Sequence, residues 1–367
     1  MHAFLARVWR GLVAHLDGPL LLVTFALMIV GLATVYSATY DANNRLWLQA
    51  GNMAIGLCAM WAVAQLPPQK LMRFGVPLYV VGLILLILVY FFGIKVNGAR
   101  RWLSLGFTRV QPSELLKIAV PLMLAWYFHK NEAALRVQHY VVASLLLLVP
   151  FALIARQPDL GTAILVGAAG FYVIFFAGLS WAVIGGLLAA AGAAAPFVWT
   201  MLHDYQRKRI LTLIDPTTDP LGSGYHIIQS TIAIGSGGSF GKGWLAGTQT
   251  HLEFIPERHT DFILAVFSEE RGLLGNGILL VLYLLLIGRG LMIAARASTL
   301  FARVLAGSVT LSLFTYVFVN MGMVSGILPV VGVPLPFMSY GGTALVTLSV
   351  GIGILMSINT HRMLVRT

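Results

Sequence analysis

Val76-Pro77-Leu78-Tyr79-Val80-Val81-Gly82-Leu83-Ile84-Leu85-Leu86-Ile87-Leu88-Val89-Tyr90-Phe91-Phe92 runs between Arg73 and Lys95 without a single charged side chain. As a helix over about 72 to 93, this stretch is long enough to cross roughly 30 Å of hydrocarbon. The pattern repeats along the chain. Further apolar runs lie near 19 to 39, 46 to 66, 113 to 129 and 138 to 156, and a second set near 159 to 178, 181 to 203, 273 to 294, 304 to 325 and 342 to 359. The sequence therefore predicts an all-α, polytopic membrane protein with ten transmembrane helices, built as one domain over 1 to 367.

Composition supports that reading. The chain of 367 residues is 58% hydrophobic and 10% charged, whereas soluble domains carry about 25% charged residues. At roughly 20 apolar residues per span, this composition caps the count near ten. Cys58 is the single cysteine, so neither an intrachain disulfide nor a multi-thiolate metal site can form. The first apolar run is of span length and lacks a clear small-residue cleavage site, which marks it as a retained helix. Ahead of it, Phe4, Leu5, Val8, Trp9, Leu12 and Val13 recur at helical spacing, as in a helix lying in the membrane interface over 1 to 16.

An even number of spans puts both termini on one side. With that side cytoplasmic, the inner joints hold Arg7, Arg10, Lys70, Arg73, Lys130, Arg136, Arg289, Arg296, Arg303, Arg362 and Arg366, opposed by Asp17 and Glu132. The outer segment 326 to 341 carries no charge, so the positive-inside bias supports cytoplasmic termini. The remaining basic residues fall outside: Arg45, a group between Lys95 and Lys117, Arg156, and those in a long extracytoplasmic loop over 204 to 272 between helices 7 and 8. They are either solvated loop charges, which long loops tolerate, or the grip on an anionic substrate at the outer leaflet. The net charge of +11 thus calls for no nucleic acid.

Polar residues gather in five places. Asn97 to Trp102, with Arg100 and Arg101, is followed by Arg109 and by Gln111-Pro112-Ser113-Glu114 and Lys117. Glu114 and Lys117 share a helix face as they enter a span, either neutralising one another or lining a polar cavity. Arg156 to Gly161 places Asp159 at the outer start of a helix, where the helix dipole favours an acid. Gly235 to Gly243 lacks the Gly and Ser/Thr positions of a nucleotide-binding loop, leaving Lys242 and the backbone amides as a candidate phosphate cradle or a plain turn. Pro256-Glu257-Arg258-His259-Thr260-Asp261-Phe262 groups ionisable side chains where the long loop returns to the membrane, with Glu269 and Glu270 beyond. Asp261, nearest the membrane entry, is the preferred general base, although a residue there could merely cap the next helix. The histidines show no metalloprotease spacing. Gly332 to Gly342 is uncharged and too broken for helix, so at membrane depth it must line a cavity or be covered by protein.

Taken together, Asn97 to Trp102, Gln111 to Lys117, Gln157 to Gly161, Asp219 to His226, Pro256 to Asp261 and Gly332 to Gly342 resemble the SEDS family (shape, elongation, division and sporulation) along essentially the whole chain. The resemblance implies a peptidoglycan glycosyltransferase of the bacterial cytoplasmic (inner) membrane, with an extracytoplasmic active site that polymerises lipid II during cell elongation. It implies as partners lipid II, the lipid-linked glycan strand, membrane lipid, a class B penicillin-binding protein and other elongation-complex proteins. It places the partner's single span against the eighth and ninth helices. By the same resemblance Asp261 matches the family's essential aspartate, and Glu114 and Lys117 match polar residues of its central cavity. In the expected reaction Asp261 deprotonates the 4-hydroxyl of incoming lipid II, which attacks the anomeric carbon of the lipid-linked chain with inversion as undecaprenyl diphosphate leaves. Arg100, Arg101, Arg109, Lys117, Lys242 and Arg258 are candidates to stabilise the diphosphate charge. Asp159 belongs to the same candidate substrate-binding set. A divalent cation is a candidate to share the task, though no ligand set is legible. Two competing readings use the same features: a lipid II flippase, and a non-catalytic scaffold for the crosslinking enzyme.

Overall fold

The computed structural model describes residues 14–39, 43–96, 99–104, 109–157, 159–202, 204–219, 222–255 and 257–361. Most of the interfacial segment expected over 1 to 16, with Arg7 and Arg10, lies outside the described residues, as do Asn97, Gly98, Pro158, Pro256, Arg362 and Arg366.

Seven helices precede the long connection: α1 (Gly18–Ala38), α2 (Asn43–Ala64), α3 (Pro68–Phe92), α4 (Pro112–Lys130), α5 (Val137–Ala155), α6 (Leu160–Phe176) and α7 (Trp181–Met201). Three shorter ones lie within it or at its edge: α8 (Asp204–Ile214), α9 (Ser223–Ser236) and α10 (Thr248–His251). The chain then completes α11 (Ile263–Ala295), α12 (Leu300–Val324) and α13 (Gly342–Thr360). Among the described residues, eight helices are long and apolar enough to cross a membrane. The two other expected positions fall on α4, whose apolar run is diluted by Glu114, Lys117 and His129, and on α6, which has 17 residues.

Two expectations change. Apart from its helices the chain forms a small antiparallel sheet, β1 (Ile94–Val96), β2 (Ala99–Ser104) and β3 (Arg109–Val110), in the order β1-β2-β3. The short polar stretch between two spans pairs its own backbone this way, which sequence alternation over so few residues does not announce. The loop expected over 204 to 272 is largely helical, and its last ten residues, 263 to 272, are already part of α11. Its apolar piece becomes α9, which packs against α11 and α12.

Helix ends follow local chemistry. Asp17 caps α1 by accepting from the Leu20 amide at 3.0 Å, and Pro19 occupies the first turn. The same Asp17 carboxylate accepts from Arg289 Nη2 at 2.6 Å and Asn359 Nδ2 at 2.7 Å. One buried acid thereby ties the ends of α1, α11 and α13. α12 and α13 are mostly buried, and α12 packs against α4, α6, α11 and α13 as the central column. α7 has no buried residue.

α11 breaks at Gly272, whose φ of 64° and ψ of −162° are non-helical. A Cβ there would collide with Gly241 N and lie 2.8 Å from Gly238 O. The glycine-rich loop docks at this break. Lys242 N and Gly243 N donate to the carbonyls of Glu269 and Glu270 at 3.0 and 3.1 Å, while Leu273 N and Leu274 N donate to Gly238 O and Ser239 O at 2.9 and 3.0 Å. The backbone groups orphaned by the kink are thereby satisfied. Gly272→Ala adds a Cβ to a left-handed, sterically closed position and is expected to destabilise the protein by about 2 to 3 kcal/mol, read as a lowered midpoint in a thermal scan in detergent.

Candidate functional site

The turn preceding α11 carries Asp261. Glu257 begins it with φ of 48°, and its carbonyl accepts from the amides of Thr260 at 3.0 Å and Phe262 at 3.3 Å. Glu257 Oε2 accepts from the Thr260 hydroxyl at 2.8 Å. The turn is then fastened to the irregular segment before α13. Tyr340 N donates to His259 O at 2.8 Å, and the Ser339 hydroxyl donates to Thr260 O at 2.7 Å. Gln49 of α2 closes the same frame, donating to Ser339 O at 3.1 Å and accepting from Gly341 N at 3.1 Å. Gly332, with φ of 74°, sits beside the acid: a Cβ built there would be 3.3 Å from Asp261 Oδ2.

Among the described residues, no cation lies within ion-pair distance of the Asp261 carboxylate, and no hydrogen bond reaches it. Burial raises its pKa from 3.8 to about 6, and the negative charge of Glu257 adds to the rise. Burial also holds His259 below the usual imidazole range, aided by Arg45, whose Nη1 lies 3.2 Å from His259 Nε2. On the other side of the turn, the His226 ring of α9 stacks on Phe262 with centroids 5.4 Å apart. The site thus offers a carboxylate poised near neutrality beside imidazoles held toward the neutral form.

A second polar group forms where α4 and α6 begin. Lys117 Nζ donates to Glu114 Oε1 at 2.6 Å and lies 5.1 Å from the centre of the Tyr316 ring of α12. Asp159 caps α6 by accepting from Thr162 N at 3.2 Å, accepts from Gln111 Nε2 at 3.1 Å, and has Arg101 Nη1 at 3.9 Å. The start of α6 abuts the irregular segment so closely that a Cβ on Gly161 would be 2.8 Å from Val331 O. Residues 331 to 333 therefore run between this group and Asp261. Below Lys117 a cavity of about 30 Å³ is lined by Lys117, Ser312, Tyr316 and Thr347 among apolar neighbours.

The expected site residues divide accordingly. Glu114, Lys117, Asp159 and Arg101 come together. Arg100 is exposed on β2, and the side chain of Arg109 on β3 lies outside the described residues. Lys242 is held by Glu269 at 2.8 Å and by the Thr248 hydroxyl at 2.7 Å. The amides above it are engaged at the kink, so the structure shows a packed turn where a phosphate cradle was one expectation. Arg258 donates to Ala38 O at 2.8 Å, Thr250 O at 3.1 Å and Glu253 Oε1 at 2.9 Å, bracing the turn against the end of α1. The sequence reading missed Gln49, Tyr316 and Asn320. An isolated amide or phenol inside an otherwise apolar span was the available signal. Among the described residues, no group of three or more His, Cys, Asp or Glu side chains could hold a metal ion.

The Glu114–Lys117 pair is largely desolvated, with side-chain exposures of 12% and 7%. Removing one partner leaves an uncompensated charge. Lys117→Met is expected to cost about 3 to 5 kcal/mol, and Glu114→Gln with Lys117→Met to recover much of it, as compared by thermal unfolding of the purified variants.

Residues 18–364 match the cell cycle protein family FTSW_RODA_SPOVE. The chain is 54% identical over 349 residues to the peptidoglycan glycosyltransferase MrdB of Escherichia coli K12, spanning 95% of this chain and 94% of that protein. Its fold is similar to a chain from a peptidoglycan synthase complex solved for its coordination of polymerization and crosslinking, with a TM-score of 0.81, 36% identity, and 94% and 97% of the two chains covered. It is also similar to the crystal structure of the Thermus thermophilus rod shape determining protein RodA, with a TM-score of 0.71, 30% identity, and 94% and 96% coverage. Expected from its polar motifs and matched along nearly its whole length, the chain belongs to the FTSW_RODA_SPOVE family of cell cycle proteins, the SEDS family.

Proposed function

We propose that this peptidoglycan glycosyltransferase polymerises lipid II at the outer face of the cytoplasmic membrane, with Asp261 as general base. The observation that carries the reading is a carboxylate without a protein partner among the described residues, raised by burial to about 6, beside the bare backbone of Gly332. A base must be ionised and accessible yet basic enough to take a hydroxyl proton near neutral pH. The reaction class is that of the relatives named peptidoglycan glycosyltransferase. In the proposed step the acceptor 4-hydroxyl loses its proton to Asp261 as its oxygen bonds to the anomeric carbon of the lipid-linked strand. The bond from that carbon to the diphosphate breaks, and undecaprenyl diphosphate departs with the electron pair.

The developing charge is assigned to Lys117, Arg100 and Arg101, with Arg109 on the adjoining strand. Asp159 and Glu114 hold Arg101 and Lys117 in register. Lys242 and Arg258 act by fixing the loop and turn around the base. In the same reading all ten long helices cross the membrane, both termini are cytoplasmic, and the turn bearing Asp261 faces outward. A class B penicillin-binding protein crosslinks the product within a larger elongation complex. Likeness to a chain of a peptidoglycan synthase complex supports that partnership.

The test is polymerisation of purified lipid II by the purified protein with its partner. Asp261→Asn is expected to lower the rate by about 10² to 10⁴, and wild-type activity in that variant would remove the assigned base. Because the ionised form is the active one, the wild-type rate should fall by about tenfold per pH unit below about 6 and level off above it. Glu257→Gln removes a negative neighbour and should move this acidic limb to lower pH, as read from the pH profile of the initial rate.

A further inference from the structure

The most constrained contact around Asp261 comes from α12, through a residue that the reaction scheme above does not use. Asn320 is fully buried. Its Nδ2 donates to Asp261 O at 2.8 Å and to Val333 O at 2.7 Å. Both neighbours are carbonyl oxygens, which only accept, so the amide orientation is settled by chemistry: the NH₂ faces them and the Oδ1 faces away. That Oδ1 is itself buried without a partner among the described residues. A residue present for packing alone would avoid an orphaned acceptor, since a leucine of similar shape carries no such cost.

We propose that Asn320 is the positioning residue of the catalytic turn: its two N–H groups lock the main chain of Asp261 to that of Val333 and so set the carboxylate over Gly332. This rests on the assignment of Asp261 as base. The geometry makes the role specific. The turn and the irregular segment belong to different parts of the chain, and Asn320 bonds to both with one nitrogen. Ser339 and Gln49 fasten the neighbouring residues Thr260, Ser339 and Gly341, whereas Asn320 reaches the backbone of the base itself. Tyr316, one turn earlier on the same face of α12, meets Lys117, so a single helix registers the base against the cation proposed to meet the diphosphate. Misplacement of a reacting group by about 1 Å can cost on the order of 10²-fold in rate.

The experiment compares Asn320→Leu, Asn320→Ser and Asp261→Asn with wild type in the lipid II polymerisation assay with partner, recording kcat, KM, the pH profile and the thermal midpoint. Asn320→Leu removes both donors and is expected to lower kcat by about 10²-fold with KM within about twofold. Its acidic limb should move to lower pH as the loosened carboxylate gains water. Glu257, the charged group that acts on the carboxylate, is unchanged in every variant, as are His226 on Phe262 and Arg45 on His259 around the same turn. Asn320→Ser keeps one donor and should fall between. It decides the question if the leucine variant does not fold. A wild-type kcat and an unmoved limb in the folded variants would overturn the positioning role, as would a loss that follows the thermal midpoint with no change in the limb. If Asp261→Asn retains wild-type activity, the base assignment itself fails. If it is inactive while the Asn320 variants are normal, only the positioning role fails.

Discussion

A chain that leaves helical conformation inside a membrane protein must still satisfy each N–H and C=O it exposes, because lipid supplies no partners. Residues 325 to 341 and the turn at 257 to 262 meet this constraint against each other, through Tyr340 N to His259 O and the Ser339 hydroxyl to Thr260 O. Gln49 and Asn320 complete the frame from α2 and α12. The carboxylate of Asp261 is held at the seam between the two segments, so its position depends on helices distant in sequence. Rigid support of this kind suits the general-base role proposed for it.

The charges are arranged by the same economy. Buried or half-buried acids mostly have protein donors: Asp17 has Arg289 and Asn359, Glu114 has Lys117, Asp159 has Gln111, and Glu269 has Lys242 with the amides of Gln249 and Thr250. Asp261 departs from this pattern: burial, and then the charge of Glu257, raise its pKa with no donor among the described residues to offset them. Several basic residues expected at the outer side are braced by neighbouring acids: Lys242 by Glu269, Arg258 by Glu253, Lys117 by Glu114 and Arg101 by Asp159. A tally of the positive charge expected there overstates what is available to an anionic ligand, because several of these cations already neutralise the protein's own acids and helix ends.

Much of the architecture was legible beforehand. The apolar runs are long and local, and hydropathy over about 20 residues is what a bilayer reads, so the long helices outside 204 to 272 lie close to the expected runs, while the helices inside that stretch were not expected. Asp261 stood out as a candidate, since the turn before a span gathers four ionisable side chains within five residues. The sheet over 94 to 110 was not legible, because its strands are too short for alternation to register. Asn320 was not either. In sequence it is one amide in an apolar helix, and its importance lies in two carbonyls 59 and 13 residues away.

By itself, the sequence determined that this is a multi-span membrane protein, where its long apolar runs lie, and which acid stands at the entry to the eighth expected span. Those properties depend on residues close together in the chain. Tertiary structure alone decided which cations are spent on the protein's own carboxylates and carbonyls, that the glycine-rich loop plugs the kink at Gly272, and that Asp261 is left without a protein counter-charge among the described residues. Pairing and desolvation act through space at a few ångströms, and they depend on how the helices are brought together.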